Sequence, residues 1–335
     1  MMFVQGNPIA ALQAVAAFSL AGDEGKRLTT IERLGQSRSP LSVEELIEAL
    51  EDPSFNIRHE AIVSIARTRQ DARLTEAMVR NLREGAPDLQ TTVAWALGRM
   101  GDASAAPALR EALESTYPLL RARAARALAM LDDADSVPRL AVLFAQETDP
   151  AIRVAYASSL AGLGHHLSTP EILDMLREQT HPGIRRELAM AVATLLGPQE
   201  QALRLWRRMQ QQPGDTLGGV MIGLRRRLTS HQVNATGSGM LGQAIDQCIR
   251  DLGMDRLDAG AEHLITICAG VKHETFSPTA RLVLPEVTRM LRLHKAERPE
   301  YVLLAVHALH VGMLPEYMSA GTSPLPGPLA AIIGD

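Results

Sequence analysis

Ten histidines, two cysteines and 34 lysines and arginines among 335 residues are the groups with which this chain could do chemistry. Histidines raise metal ligation first. His165 and His166 are adjacent, with His181 nearby, and His307 and His310 stand three apart on a helical pattern. A structural or catalytic zinc ion needs several donors converging at helix-compatible spacing. Neither set has an evident thiolate or carboxylate at that spacing in its own helix, so no metal and no cofactor is expected. Cys248 and Cys268 lie in apolar helical patterns. They are expected as two reduced, buried thiols of a cytosolic protein. No nucleophile elbow, phosphate-cradling glycine loop or zinc signature occurs. The expectation is a chain without catalytic residues, although a site assembled from several repeats would leave no local signature.

The arginines carry more pattern. Arg58, Arg121, Arg153 and Arg185 each follow an apolar residue at the start of a recurring segment; Gln90 holds the equivalent place in one copy. Such a row forms a ladder on one side of a stack, with Asp52 and Asp149 as candidate structural partners. The functional alternative is a row that binds anions, because a guanidinium fork grips carboxylate or phosphate equally well. A second basic group comprises Arg204, Arg207 and Arg208, which share one helix face, followed by Arg225, Arg226 and Arg227. It suits either a solvated outer face or an anionic membrane surface, where each charge is worth about 1 kcal/mol. Nucleic acid is disfavoured: the net charge is −4, and Trp206 is the one interleaved aromatic. Gln90, Arg123, Arg126 and Arg186 are further candidates for a partner-facing surface.

These side chains must be positioned by a repeat. Five segments share one wording: IRHEAIVSIA from Ile57, LQTTVAWALG from Leu89, LRARAARALA from Leu120, IRVAYASSLA from Ile152 and IRRELAMAVA from Ile184. Their starts are 32, 31, 32 and 32 residues apart. Leu50, Leu82, Leu113, Phe144 and Leu176 step with the same period one helix earlier. A fixed period of this length means stacked helix pairs, each burying its apolar face only against its neighbours. Pro87, Pro118, Pro150 and Pro182 precede the segment starts by two residues, where proline ends one helix and suits the first turn of the next. The hydrophobic fraction is 46 % but aromatics are 3 %, so alanine and aliphatic residues must fill the core and let helices approach closely.

The expected fold is all-α, a solenoid of stacked antiparallel helix pairs in a right-handed superhelix, with a C-terminal helical cap or bundle. Residues 1–21 read as a lead-in helix and 22–228 as about six to seven repeat units. Residues 239–314 read as further helices, either divergent repeats or a cap, and 315–335 as a Pro/Gly-rich tail. No apolar run reaches the roughly 18–20 residues of a membrane span, and no basic residue precedes the apolar stretch Ile9–Ala21 as a signal peptide would require. A soluble, cytoplasmic chain is expected, with membrane association left open.

The wording apolar-Arg-x-x-small-small-x-x-apolar-small at this period resembles HEAT repeats of the bilin-lyase (PBS-lyase) type over about residues 22–228. Within it, Asp52–Arg69, Ala94–Asp102 and Leu119–Leu131, together with Phe3–Ala10, resemble the cytoplasmic HEAT-repeat region appended to some bacterial major-facilitator-type permeases. The permease helices are missing, so no transport activity follows. The resemblance implies a helical stack whose second helices form a long concave binding surface. That makes a non-catalytic protein-interaction scaffold the leading expectation, at the cytoplasmic membrane face if the permease resemblance holds. The alternatives are an enzyme or chaperone of bilin-lyase type and a DNA-binding HEAT-like protein.

Overall fold

A computed structural model describes residues 24–36, 40–68, 71–197, 238–254, 256–271 and 276–311, with islands at 203–207, 211, 219–222 and 225. The lead-in 1–21, the tail 315–335 and the residues Arg208, Arg226 and Arg227 lie outside the described residues. Every regular element among those described is helical. In order these are α1 Glu24–Gln36, α2 Pro40–Ala49, α3 Phe55–Ile65, α4 Ala72–Glu84, α5 Pro87–Met100, α6 Ala106–Ala112, α7 Pro118–Met130 and α8 Val137–Gln146. They continue as α9 Pro150–Gly162, α10 Thr169–Glu178, α11 Pro182–Leu196, α12 Ser238–Gly253, α13 Leu257–Gly270, α14 Pro278–His294 and α15 Pro299–Val311. The fold is an all-α helical-repeat solenoid. The chain divides into two compact units, Met1–Ser159 and Leu160–Asp335.

In the first unit the period becomes a stack. First helices α2, α4 and α6 pack in succession, and so do second helices α1, α3, α5 and α7. Each turn is closed by local chemistry. Pro87 and Pro118 occupy the first turns of α5 and α7. Ser54 caps α3 by accepting from the Ile57 N–H, and Asp71 caps α4 by accepting from the Arg73 N–H. Gly101 ends α5 at φ 72°, a left-handed conformation that favours glycine. Asp149 accepts from the Ala151 N–H at 2.8 Å at the start of α9.

Counting from each segment start, offsets 0, 4, 5 and 8 are buried. They are Ile57, Ala61, Ile62 and Ile65 on α3, Leu89, Val93, Ala94 and Leu97 on α5, and Leu120, Ala124, Ala125 and Leu128 on α7. These offsets fall on one side of a 3.6-residue helix. Offset 9 is small because the neighbouring helix comes close. A Cβ on Gly98 would lie 2.7 Å from the Ala127 Cα, and one on Gly35 would lie 2.7 Å from the Ser64 Cβ.

In the second unit the spatial order departs from the chain order. The pair α10–α11 packs against the pair α14–α15, first helix on first and second on second. The helix α13 then packs on α14 and α15, and α12 on α13. The helices α12 to α15 thus form two pairs, of which the later in sequence is stacked directly on α10–α11. Its seam is polar as well as apolar. Arg177 pairs with Glu286 at 3.2 Å, the Tyr301 hydroxyl donates to the Leu176 carbonyl at 3.3 Å, and His307 Nε2 lies 3.2 Å from the Ala193 carbonyl. Pro285 lies inside α14, which runs through it.

Two predictions follow from this packing. Gly98→Ala adds a methyl against backbone, and overpacking of about 1–3 kcal/mol outweighs the roughly 1 kcal/mol helix-propensity gain. Its urea midpoint should fall below wild type. Burial pushes the His307 imidazole down to about 4. Between pH 6.5 and about 4 the unfolded chain therefore binds a proton that the folded chain refuses, and stability drops as pH falls through that window. His307→Gln should flatten that part of a pH series of melting midpoints.

Candidate partner-binding face

The ladder arginines share one task. Each turns back to a main-chain carbonyl at the end of the preceding first helix or in the turn after it. Arg58 Nη1 donates to the carbonyls of Asp52 and Pro53, at 2.6 and 3.0 Å. Arg121 Nη1 donates to Ser115 at 2.9 Å, Arg153 Nε to Phe144 at 3.1 Å and Arg185 Nη1 to Thr180 at 2.9 Å. These carbonyls have no partner within the helix that has just ended, and a cation complements the negative helix end.

The expected aspartate partners are placed differently. The Asp52 carboxylate pairs with Arg27 and accepts from the Ser54 N–H, while Arg58 takes the Asp52 carbonyl instead. The carbonyl lies closer to the helix end, where the guanidinium already sits. The Asp149 carboxylate serves the start of α9.

Two rungs also reach the adjoining helix pair. Arg121 Nε donates to the Tyr156 hydroxyl at 3.3 Å, and its Nη2 lies 3.3 Å from Glu147. Burial pushes the Tyr156 phenol up. Arg185 faces Glu300 of α15 at 3.4 Å, both buried. The Arg185 Nε and one Glu300 carboxylate oxygen have no hydrogen-bond partner among the described residues.

Surface charge is treated in two ways in the first unit. On the first helices it is spent between repeats: Arg73 pairs with Glu44 at 2.5 Å, Arg83 with Glu111 at 2.9 Å, Arg139 with Glu114 at 2.7 Å and Arg110 with Asp135 at 3.2 Å. The Arg83 guanidinium accordingly holds the Glu111 carboxyl below its ordinary range. Among the first-helix arginines of this unit Arg80 is the exposed exception.

The second helices, with the turn that follows α3, present offsets 3, 6 and 10, opposite the buried stripe. These are Glu60, Val63 and Arg67; Thr92, Trp95 and Arg99; and Arg123, Arg126 and Met130. Arg67, Arg99 and Arg123 are exposed and make no ion pair or hydrogen bond through their side chains among the described residues. Trp95 is half-buried between them in register, and Met130 is 54 % exposed.

Of the residues singled out by sequence, Arg123 and Arg126 fall on this face, and Gln90 lies half-buried on α5. Arg186 is exposed on α11 of the second unit. Arg204 and Arg207 are exposed, and Arg225 is paired with Asp246 at 2.7 Å. The structure adds Arg67, Trp95, Arg99 and Met130. Their signal in the sequence was a constant offset from the segment starts, visible only once the buried stripe is known.

The other candidates for chemistry are absorbed structurally. His165 Nδ1 lies 2.8 Å from the Ser168 hydroxyl, His166 Nδ1 lies 3.0 Å from the Thr279 hydroxyl, and the His181 ring accepts from the Ile184 N–H. Burial pushes both His165 and His166 down. Cys248 and Cys268 are free and buried, each thiol pushed up to about 12 by burial. Among the described residues no group of three His, Cys, Asp or Glu could hold a metal ion, and no helix is long and apolar enough to cross a membrane.

The profile of HEAT repeats matches residues 43–121, 75–161 and 110–193. Residues 43–193 are HEAT repeats. Among curated proteins none matches. One similar solved structure is the complex of CpcE and CpcF of phycocyanin lyase from Nostoc sp. PCC7120. It is 20 % identical with a TM-score of 0.32, covering 94 % of this chain and 98 % of that one. Another is an engineered protein, 18 % identical with a TM-score of 0.38, covering 90 % and 98 %. At such scores the likeness says nothing about function.

The division between ladder and face predicts opposite outcomes for two arginines of one HEAT helix. Arg121→Ala removes charge-assisted bonds in a partly buried place and should cost about 2–3 kcal/mol. Arg123→Ala, two residues on and facing outward, should stay within about 0.5 kcal/mol of wild type. Paired urea titrations followed by helical circular dichroism check this.

Proposed function

We propose that this chain is a non-catalytic protein-interaction scaffold whose partner docks on the outward face of α3, α5 and α7, at the cytoplasmic face of a membrane. The observation that carries the reading is the contrast between the two surfaces of the HEAT stack. The first-helix arginines Arg73, Arg83 and Arg139 are engaged in holding successive repeats together. The second-helix face carries Arg67, Arg99 and Arg123, exposed and without an ion pair or side-chain hydrogen bond among the described residues, beside a half-buried tryptophan and an exposed methionine. Trp, Arg and Met are the residue types enriched where proteins meet. The placement at a membrane is supported by the resemblance of Asp52–Arg69 and Phe3–Ala10 to permease-appended repeat regions.

The test is site-specific photocrosslinking in the protein's own cells, with the photoreactive residue at Thr92 or at Arg80, followed by separate purification of membrane and soluble fractions. One stoichiometric protein partner captured from position 92 and not from position 80 is the expected result. Capture from position 80 alone, or none from either fraction, would overturn the docking face. Partner capture confined to the soluble fraction at low salt would remove the membrane placement. A bilin absorbance band acquired on incubation with tetrapyrrole would instead favour the lyase-type alternative.

A further inference from the structure

We infer that the occupant of this face is an acidic, amphipathic helical segment of a partner protein, seated across α3, α5 and α7 with its carboxylates on Arg67, Arg99 and Arg123 and its apolar side on Trp95. The inference rests on the scaffold reading and narrows it to one ligand chemistry.

Charge supplies the first argument. The chain carries a net −4, yet the nine outward positions on these three helices and in the turn after α3 hold four arginines and one glutamate. That glutamate, Glu60, accepts from the Ser64 hydroxyl within its own helix. Positive charge is therefore concentrated on one surface of an acidic protein. Elsewhere in the same unit Arg73, Arg83 and Arg139 have carboxylates brought to them from an adjoining repeat, while Arg33 and Arg80 are exposed without one among the described residues. Arg67, Arg99 and Arg123 stand where no described residue of the first unit brings one. A carboxylate-bearing partner would complete for these three what the stack completes for Arg73, Arg83 and Arg139.

Geometry sets the form of the ligand. Packed helices lie about 8–10 Å apart, so three of them span about 20 Å, the length of a helix of about 13 residues at 1.5 Å per residue. Arg67, in the turn just past α3, and Arg99, on α5, hold the same offset from their segment starts; the helix spacing of about 8–10 Å is close to two turns of a docked helix, which asks for carboxylates about seven residues apart. Arg123 sits two turns nearer the start of its own helix and faces a different edge of the ligand. Between these charges lie Val63 and Trp95, half-buried, with Met130 at the rim. An apolar centre with cationic flanks suits a helix with one apolar and one acidic side. A nucleic acid would waste that apolar centre, and a lone tryptophan makes a poor stacking platform for successive bases.

The experiment uses the whole chain with Trp206→Phe, which leaves Trp95 as its one tryptophan reporter. Four probes are titrated: a leucine–glutamate amphipathic peptide of about 14 residues, its leucine–lysine counterpart, a single-stranded DNA of similar length, and phosphatidylglycerol vesicles. Trp95 emission and peptide anisotropy are read at about 50 mM and about 300 mM salt. The acidic peptide should bind, shift Trp95 emission to the blue and weaken at the higher salt, while the lysine peptide should not bind. The triple variant Arg67→Glu, Arg99→Glu, Arg123→Glu should lose roughly 30-fold in affinity. The corresponding triple glutamine variant should lose a smaller share, and Arg80→Glu should bind as wild type. These arginines hold no side chain in place, so the variants should melt with the parent. Acidic-peptide binding that survives the triple glutamate variant, or tighter binding of DNA or vesicles through the same arginines, would overturn the inference. If crosslinking at position 92 still captures a protein partner, the scaffold reading stands while its ligand chemistry is wrong. If it captures none, both fall.

Discussion

A guanidinium closing over the carbonyls of a helix that has just ended is the contact on which this stack depends. Every helix pair must reverse direction, and every reversal leaves carbonyl groups without an intrahelical partner. An arginine at the fourth residue of the returning helix is long enough to reach back and rigid enough to hold the turn. Arg58, Arg121, Arg153 and Arg185 all make this bond, though the accepting residue varies from five to nine positions upstream. Some then use their remaining donors to join the adjoining pair: Arg121 to Tyr156 and Glu147, and Arg185 to Glu300. The turn and the stacking seam are thereby one structure.

This explains why the most regular polar feature of the chain is not its binding feature. The ladder residues are half-buried or buried, and each spends a donor on a main-chain carbonyl. Residues free to meet a partner sit at other offsets, on the opposite side of the same helices. They look irregular in the sequence because the face varies from Glu60 to Thr92 to Arg123 while the core repeats. Variation along a constant scaffold is how a repeat protein acquires an individual ligand.

The second unit shows the same logic with a different connection. Glu300 meets Arg185 where, in the first unit, Glu147 and Tyr156 meet Arg121. The pair α14–α15 therefore supplies to α10–α11 the contacts of a neighbouring repeat, though α12 and α13 precede it in the chain. The exchange is costly in one respect: Arg185 and Glu300 are buried with an atom each lacking a hydrogen bond among the described residues. A buried ion pair of that kind does more to specify which surfaces meet than to stabilise them. Every residue from Glu300 to Leu309 on α15 is buried, so the apolar packing around it carries the energy.

By itself the sequence determined the helix pairs, their period and the residues that fill them. Those depend on neighbours close in the chain: a proline at the first turn, an apolar residue every three or four positions, a small residue where the next helix crosses. Tertiary structure decided what depends on distant residues. Only there does Arg58 take a carbonyl while Asp52 goes to Arg27, since the choice turns on a distance of a few ångströms. Only there does α15 lie on α11, because spatial order need not follow chain order. Only there do Arg67, Arg99 and Arg123 stand apart from the arginines paired on the other surface, because a charge is known to be unmatched only once every neighbour has been placed around it.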